Sequence, residues 1–97
     1  MHGDTTGMVE AIRQLQVARA GAVQARTAAL NQVGDLVITA PAAVRAAVTA
    51  KTQSGMAAQA ARWRPDLTRL ADPARLALHS IAGRIQALSA EIAALER

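Results

Sequence analysis

Cysteine, phenylalanine and tyrosine are absent from this 97-residue sequence, and Trp63 is its only aromatic residue. The lack of cysteine excludes disulfides and thiolate metal sites. The core must therefore be built from aliphatic and small side chains, and alanine alone supplies 25 positions. Alanine favours helices but buries little apolar area per residue. A small chain of this composition needs long helices packed along their length, or a second copy of itself, to be stable.

The sequence also lacks any pattern of catalytic or metal-binding residues. Its histidines and acidic residues do not fall at ligand spacing, and its six glycines are isolated rather than gathered in a phosphate-binding loop. We therefore predict a non-enzymatic chain with no cofactor, no metal and no small-molecule substrate. His79 lies beside the apolar stripe of its segment in the heptad count, and we expect it to be exposed to solvent.

No uncharged stretch approaches the roughly 18 apolar residues that a membrane-spanning helix requires, and the first residues, MHGDTTG, are not a signal peptide. We expect a soluble cytoplasmic protein with no membrane partner. Eleven lysines and arginines exceed seven aspartates and glutamates, so the formal net charge is +4, and ten of the eleven basic residues are arginine. Arginine binds phosphate groups in a bidentate manner, which makes nucleic acid a compatible partner.

The feature that organises the chain is a long amphipathic segment from Met8 to Ile38. Its seam positions alternate in steps of four and three, as in a coiled coil, and are Met8, Ile12, Leu15, Arg19, Ala22, Arg26, Ala29, Val33 and Leu36. A helix of this length is roughly 45 Å long, more than a domain of this size covers on its own. Part of its apolar surface therefore needs a partner. Residues 1–7 are expected to be a disordered lead.

Prolines divide the rest of the chain. The sequence predicts a short helix over about residues 41–50, capped by Thr39, and a third helix over about 53–64 that Trp63 anchors in the core. A loop is expected over 66–71. A fourth helix then begins at Asp72-Pro73 and runs to the end of the sequence.

The fourth helix carries the clearest periodic signal, three heptads of large aliphatic residues. We predict a single all-α coiled-coil domain over residues 8–97: two long helices in an antiparallel hairpin, two short helices between them, and dimerisation into a helical bundle. A parallel coil would use the same stripe, so the direction stays open at this point. The predicted seam of the hairpin and of the homodimer or higher oligomer is Ile12, Leu15, Val33, Leu36, Leu78, Ile81, Ile85, Leu88, Ile92 and Leu95.

Two arginines interrupt the apolar seam of the first helix, and two interpretations of them remain open. In the first, the aliphatic stems of Arg19 and Arg26 cover the seam while their guanidinium groups reach solvent or a carboxylate such as Glu91 or Glu96. In the second, Arg19 and Arg26 act with Arg13 on phosphate groups, which would give salt-sensitive, sequence-independent binding.

Three stretches of the chain resemble part of a known protein family. They are VEAIRQLQVARAGAVQARTAALNQVGDLVITAP at 9–41, RWRP at 62–65 and DPARLALHSIAGRIQALSAEIAALE at 72–96. In order and spacing they are similar to the middle segment of the DEDD-type insertion-sequence transposases of the IS "one-ten" type. In that family the segment lies between a RuvC-like nuclease domain and a domain that carries a serine. The resemblance extends over the chain from about Gly7.

The resemblance implies a helical module that joins two catalytic domains, dimerises the recombinase and lies along nucleic acid. The partners of such a parent protein are DNA and a structured guide RNA that bridges donor and target. The family's acidic metal ligands lie upstream of this segment and its serine lies downstream, so no catalytic residue is carried over.

The resemblance also identifies candidate nucleic-acid contacts, namely Arg13, Arg19, Arg26, Arg45 and Arg84. The family tends to be basic at four further positions that are neutral in this chain, namely Ala20, Gln24, Gly34 and Gly83. The four neutral residues leave fewer positive charges on the surface than the family has. They favour the alternative function, a stand-alone helical oligomerisation or adaptor protein without nucleic-acid binding.

Overall fold

The computed structural model of the chain describes residues 2–64 and 73–97, with side chains from Thr6 onward. Every regular element in this part is a helix: α1 is His2–Thr39, α2 is Ala42–Ala47, α3 is Gln53–Arg62 and α4 is Pro73–Leu95. The prediction of an all-α fold with two long helices and two short ones is confirmed. The loop predicted over 66–71 lies outside the described residues.

The two long helices pack against each other in antiparallel directions. Arg19 of α1 contacts Glu96 at the end of α4, and Arg26, one heptad further along α1, contacts Ser89, one heptad earlier in α4. A step forward along one helix thus matches a step backward along the other. These contacts settle the helix direction, which the heptad pattern alone did not.

Small side chains bring three helices together in the core. α4 packs against both α1 and α3, and α1 packs against α3. The core cluster is Ala29, Val33, Val37, Ala40, Val44, Ala57, Ala60, Leu78, Ala82 and Ile85. Half of these residues are alanines, and Ala82 is completely buried. Since each alanine buries little area, the helices gain stability from extended packing rather than from a few large contacts.

The packed side of α1 departs from the predicted seam. Val37 is buried at 8% exposure, whereas Leu36, the predicted seam residue, is 36% exposed. An α-helix has 3.6 residues per turn, so a strict heptad stripe drifts around a straight helix. In α4 the predicted seam holds better, because Leu78, Ile85 and Ile92 are buried and the alternate positions Ile81, Leu88 and Leu95 are half-buried.

Two predictions about helix ends are wrong. α1 begins at His2, so residues 2–7 continue the helix instead of forming a disordered lead. Thr39 does not cap α2, because it is the last residue of α1 and its Oγ1 donates back to the carbonyl oxygens of Asp35 and Leu36 at 3.3 and 3.4 Å. This backward bond competes with capping. Pro41 takes the N-cap position without a side-chain hydrogen bond.

The start of α3 agrees with the prediction and has a clear cause. Thr52 is its N-cap, and Thr52 Oγ1 accepts a hydrogen bond from the backbone N–H of Gly55 at 3.0 Å. Gln59 holds the preceding connection, since its Oε1 accepts from the backbone N–H groups of Thr49 and Ala50 at 3.0 and 2.9 Å. These bonds give partners to two backbone donors of the connection between α2 and α3, which has no regular hydrogen-bond pattern.

α1 extends well beyond the helix that packs against it. With 38 residues in α1 and 23 in α4, the two helices are about 57 and about 35 Å long. The described chain is correspondingly elongated, at 64 × 28 × 18 Å. Every side chain from Thr6 to Ala20 is exposed, and Ala22 is the first buried residue of α1. We refer to residues 2–18 as the N-terminal arm.

Replacing Gly21 with alanine should raise the free energy of unfolding by about 0.5–1 kcal/mol, because glycine in a helix interior costs that much relative to alanine. Nothing lies within 4 Å of the added Cβ. Urea unfolding at a fixed protein concentration measures the change. Gly55→Ala serves as the control and should give no gain, since its Cβ would lie 2.9 Å from the Ala50 Cβ. A less stable Gly21→Ala variant would contradict the geometry of this segment.

Candidate dimer and nucleic-acid surfaces

The N-terminal arm presents an apolar face that no described residue covers. Met8, Ile12 and Leu15 follow the seam spacing and are 67%, 53% and 50% exposed. Val9 flanks this stripe and is also exposed, whereas Val17 is exposed on another side of the helix. Of the predicted seam, Ile12 and Leu15 therefore lie outside the packed hairpin. A contiguous exposed apolar stripe of this kind is typical of a surface for protein association.

Arg13, the first predicted nucleic-acid contact, is paired within the arm. Its Nη2 lies 2.6 Å from Glu10 Oε1, and its Nε lies 3.1 Å from Glu10 Oε2. This bidentate hydrogen bond lowers the pKa of the Glu10 carboxyl group below its usual value. The neighbouring carboxylate neutralises the Arg13 charge locally, which reduces its attraction for a phosphate group.

The position of Arg19 agrees with the first interpretation, in which its stem covers the seam and its guanidinium group reaches a carboxylate. Its Nε and Nη2 donate to Glu96 Oε1 at 2.9 and 2.6 Å. Both side chains are 48% exposed, so the stem covers the seam while the charged group stays in contact with water. The pair marks the point at which α4 ends and the N-terminal arm begins.

Arg26 lies half-buried between α1 and α4. Its Nη1 donates to Ser89 Oγ at 3.4 Å, a long bond to a neutral partner. Arg26 forms no ion pair with Glu91, Glu96 or any other carboxylate of the described chain. The two seam arginines thus differ, because Arg19 is neutralised across the hairpin and Arg26 is not.

Arg45 on α2 and Arg84 on α4 are exposed, and neither forms an ion pair with a described residue. Within the described chain, no carboxylate compensates their charges. Of the five predicted nucleic-acid contacts, these two are both exposed and free of an ion pair in this part of the chain, so their charges can attract a polyanion.

A further basic cluster, which the sequence interpretation missed, lies at the end of the hairpin opposite the arm. Arg62 and Arg64 flank Trp63, and with His79 they line one concavity. The Arg75 guanidinium carbon lies 5.5 Å from the centroid of the Trp63 ring, a cation–π contact. The sequence RWR at 62–64, in which two arginines flank the only aromatic residue, could have indicated this cluster. Trp63 also packs against the core, as predicted.

His79 is half-buried, so the prediction that it faces solvent is wrong. Its Nδ1 lies 3.0 Å from the carbonyl oxygen of Ala60, to which it donates when the proton is on Nδ1. α4 packs against α3 as well as α1. Its buried face is therefore wider than the heptad seam, which accounts only for the contact with α1.

The part of the chain described by the structure contains no group of three or more histidine, cysteine or acidic side chains that could hold a metal ion. None of the helices in this part is long and apolar enough to cross a lipid bilayer. Comparison with protein-family models, curated proteins and solved structures found no match to the chain. The transposase resemblance, the homodimer and the nucleic-acid contacts therefore stay predictions.

Removing the Arg19–Glu96 ion pair should have only a small effect on stability. Exposed pairs of this kind contribute about 0.2–1 kcal/mol, because water and salt screen the charges. A double-mutant cycle with Arg19→Ala and Glu96→Ala, followed by thermal unfolding, measures the coupling. Glu91→Ala in place of Glu96→Ala is the control and should show no coupling to Arg19. A coupling that does not fall in high salt would contradict the exposed geometry.

Proposed function

We propose that this chain is the non-catalytic helical module of a transposase or recombinase that acts in DNA transposition, where it dimerises the protein and contacts nucleic acid. The resemblance of 9–41, 62–65 and 72–96 to the middle segment of the DEDD-type insertion-sequence transposases supports the choice of parent protein. DNA and a structured RNA are its partners in this proposal, and its location is cytoplasmic. The observation that carries the dimerising role is the exposed apolar face of the N-terminal arm.

The arm supports self-association because its stripe continues the one that packs against α4. Along the hairpin, α4 packs against α1, and the seam residues Ala22, Ala29 and Val33 are buried. Beyond Arg19 the same stripe, at Met8, Ile12 and Leu15, has none of the described helices packed against it. In the proposed dimer, the arm of a second copy takes the place that α4 occupies further along. Burial of these side chains removes apolar surface from water and supplies the free energy of association.

Changing Ile12 and Leu15 together to glutamate should convert the dimer to a monomer, because charges would then occupy the apolar interface. Sedimentation equilibrium measures the change from about twice the 10.1 kDa chain mass to the chain mass itself. Val17→Glu is the control, since Val17 is 61% exposed and lies away from the seam. It should leave the dimer intact. A wild-type chain that stays monomeric at every accessible concentration would exclude the dimerising role.

The nucleic-acid part of the proposal rests on arginines without a carboxylate partner. Arg45 and Arg84 are exposed and form no ion pair with a described residue, and the same holds for Arg62 and Arg64. Binding of phosphates by these groups would release counterions from the nucleic acid, so affinity should fall steeply with salt. The contacts are expected to fix position on the nucleic acid rather than to read its sequence.

Ion pairs within the chain favour the alternative function, an oligomerisation or adaptor protein without nucleic-acid binding. Two of the five predicted contacts, Arg13 and Arg19, are already neutralised by Glu10 and Glu96. A stand-alone oligomerisation or adaptor protein needs no unpaired arginine on this face. The two functions differ in one measurable property, the binding of nucleic acid by the folded dimer.

Replacing Arg45 and Arg84 with glutamine should weaken binding of labelled duplex DNA and of structured RNA, and should reduce the slope of log affinity against log salt by about 2. Fluorescence anisotropy over a salt series measures both quantities. The control Arg13→Gln with Arg97→Gln removes the same charge from the arm side of the molecule, and should change the slope less. A folded dimer without affinity even at low salt would exclude nucleic-acid contact and leave the adaptor function.

A further inference from the structure

A groove between α1, α3 and α4 has the size of a small-molecule site. It has a volume of about 600 Å³, within the range of about 300–1,000 Å³ that is typical of ligand pockets. Its apolar floor consists of Leu30, Ala57, Ala82 and Ile85. The two alanines are nearly or completely buried, and their short side chains leave the space between the three helices open.

The positively charged side chain of Arg26 lies at the edge of this apolar floor. Arg26 lines the groove together with the polar side chains of Ser54, Gln86 and Ser89. Its only hydrogen bond within the described chain is the 3.4 Å contact to Ser89 Oγ, and it has no carboxylate partner there. A partly buried charge beside apolar surface is stabilised when an anion pairs with it, because its hydration is incomplete.

We propose that this groove binds a small amphipathic carboxylate, with the carboxylate on Arg26 and the apolar tail on Leu30, Ala82 and Ile85. A guanidinium group and a carboxylate form two parallel charge-assisted hydrogen bonds. Burial of the tail against the floor supplies the apolar part of the binding free energy. The site is a ligand site and involves no reaction, so it does not depend on the proposed transposase role.

The charge of the groove selects the ligand class. One arginine balances one negative charge, and no second cationic side chain lines the groove. A phosphate ester carries between one and two charges near neutral pH and would leave part of its charge uncompensated beside the apolar floor. An apolar monocarboxylate matches both the single cation and the four apolar side chains. No local sequence pattern indicates this site, because its lining residues come from three segments, 26–30, 54–58 and 82–89, which meet only in the folded hairpin.

Isothermal titration calorimetry with decanoate, at concentrations below micelle formation, tests the proposal. Decanoate should bind. Methyl decanoate has the same tail without the charge, and its affinity should be lower by a factor of about ten or more. Arg26→Gln should reduce decanoate affinity to that of the ester. Ala58→Leu should weaken the binding of both compounds, since Ala58 is an exposed residue that lines the groove and a larger side chain there narrows it.

Two matched variants control for effects away from the groove. Arg45→Gln removes an exposed arginine and Ala77→Leu enlarges an exposed alanine of α4, and neither residue lines the groove. Both should bind decanoate as the wild type does, with unchanged helical circular dichroism in all variants. No binding of decanoate, equal binding of the ester, or unchanged binding by Arg26→Gln would overturn the proposal. Binding seen only in the monomeric Ile12→Glu, Leu15→Glu variant would show that a second copy covers the groove, and would overturn it as well.

Discussion

The arrangement of this protein depends on one constraint, the unequal length of two helices that share an apolar stripe. α4 can cover only the part of α1 from Arg19 to its end, and the stripe continues for about three further turns without a partner. The Arg19–Glu96 ion pair lies at this boundary. It is exposed and weak, so it marks the boundary rather than creating it. The stability of the hairpin comes from the packed part, whereas the part that α4 does not reach is the surface through which we propose that two copies associate.

The second determinant is the prevalence of alanine in the core. Alanines at α1, α3 and α4 let the helix axes approach closely, and the described molecule is accordingly thin, with a shortest extent of 18 Å. Short side chains cannot fill the space where three helices diverge, and the groove beside Arg26 follows from this. The high alanine content therefore explains both the core of small side chains and the groove on the surface. An aromatic residue at Ala57 or Ala82 would fill that space and force the helices apart.

The sequence was sufficient for the features that local chemistry decides. The sequence predicted that α3 starts at Gln53, and the heptad repeat of α4 placed the buried residues Leu78, Ile85 and Ile92 in its seam. α2 is shorter than predicted, since it spans Ala42–Ala47 in place of 41–50. Features set by tertiary contacts were not predictable in this way. His79 is half-buried because α3 packs on a second side of α4, which a single seam does not describe. The groove at Arg26 combines residues from three helices, and no local pattern brings them together.

Gly21 makes α1 easier to bend at the base of the N-terminal arm. It stands one residue before Ala22, where α1 leaves the packed hairpin, and no atom presses on its open side. Glycine weakens a helix locally, because it loses more conformational freedom than alanine when the helix forms. The arm beyond this pivot is about 28 Å long, so a bend of about 10° displaces its tip by about 5 Å. If two copies associate through their arms, as we propose, bending at Gly21 would let the two hairpins change their mutual angle while the interface between the arms stays intact.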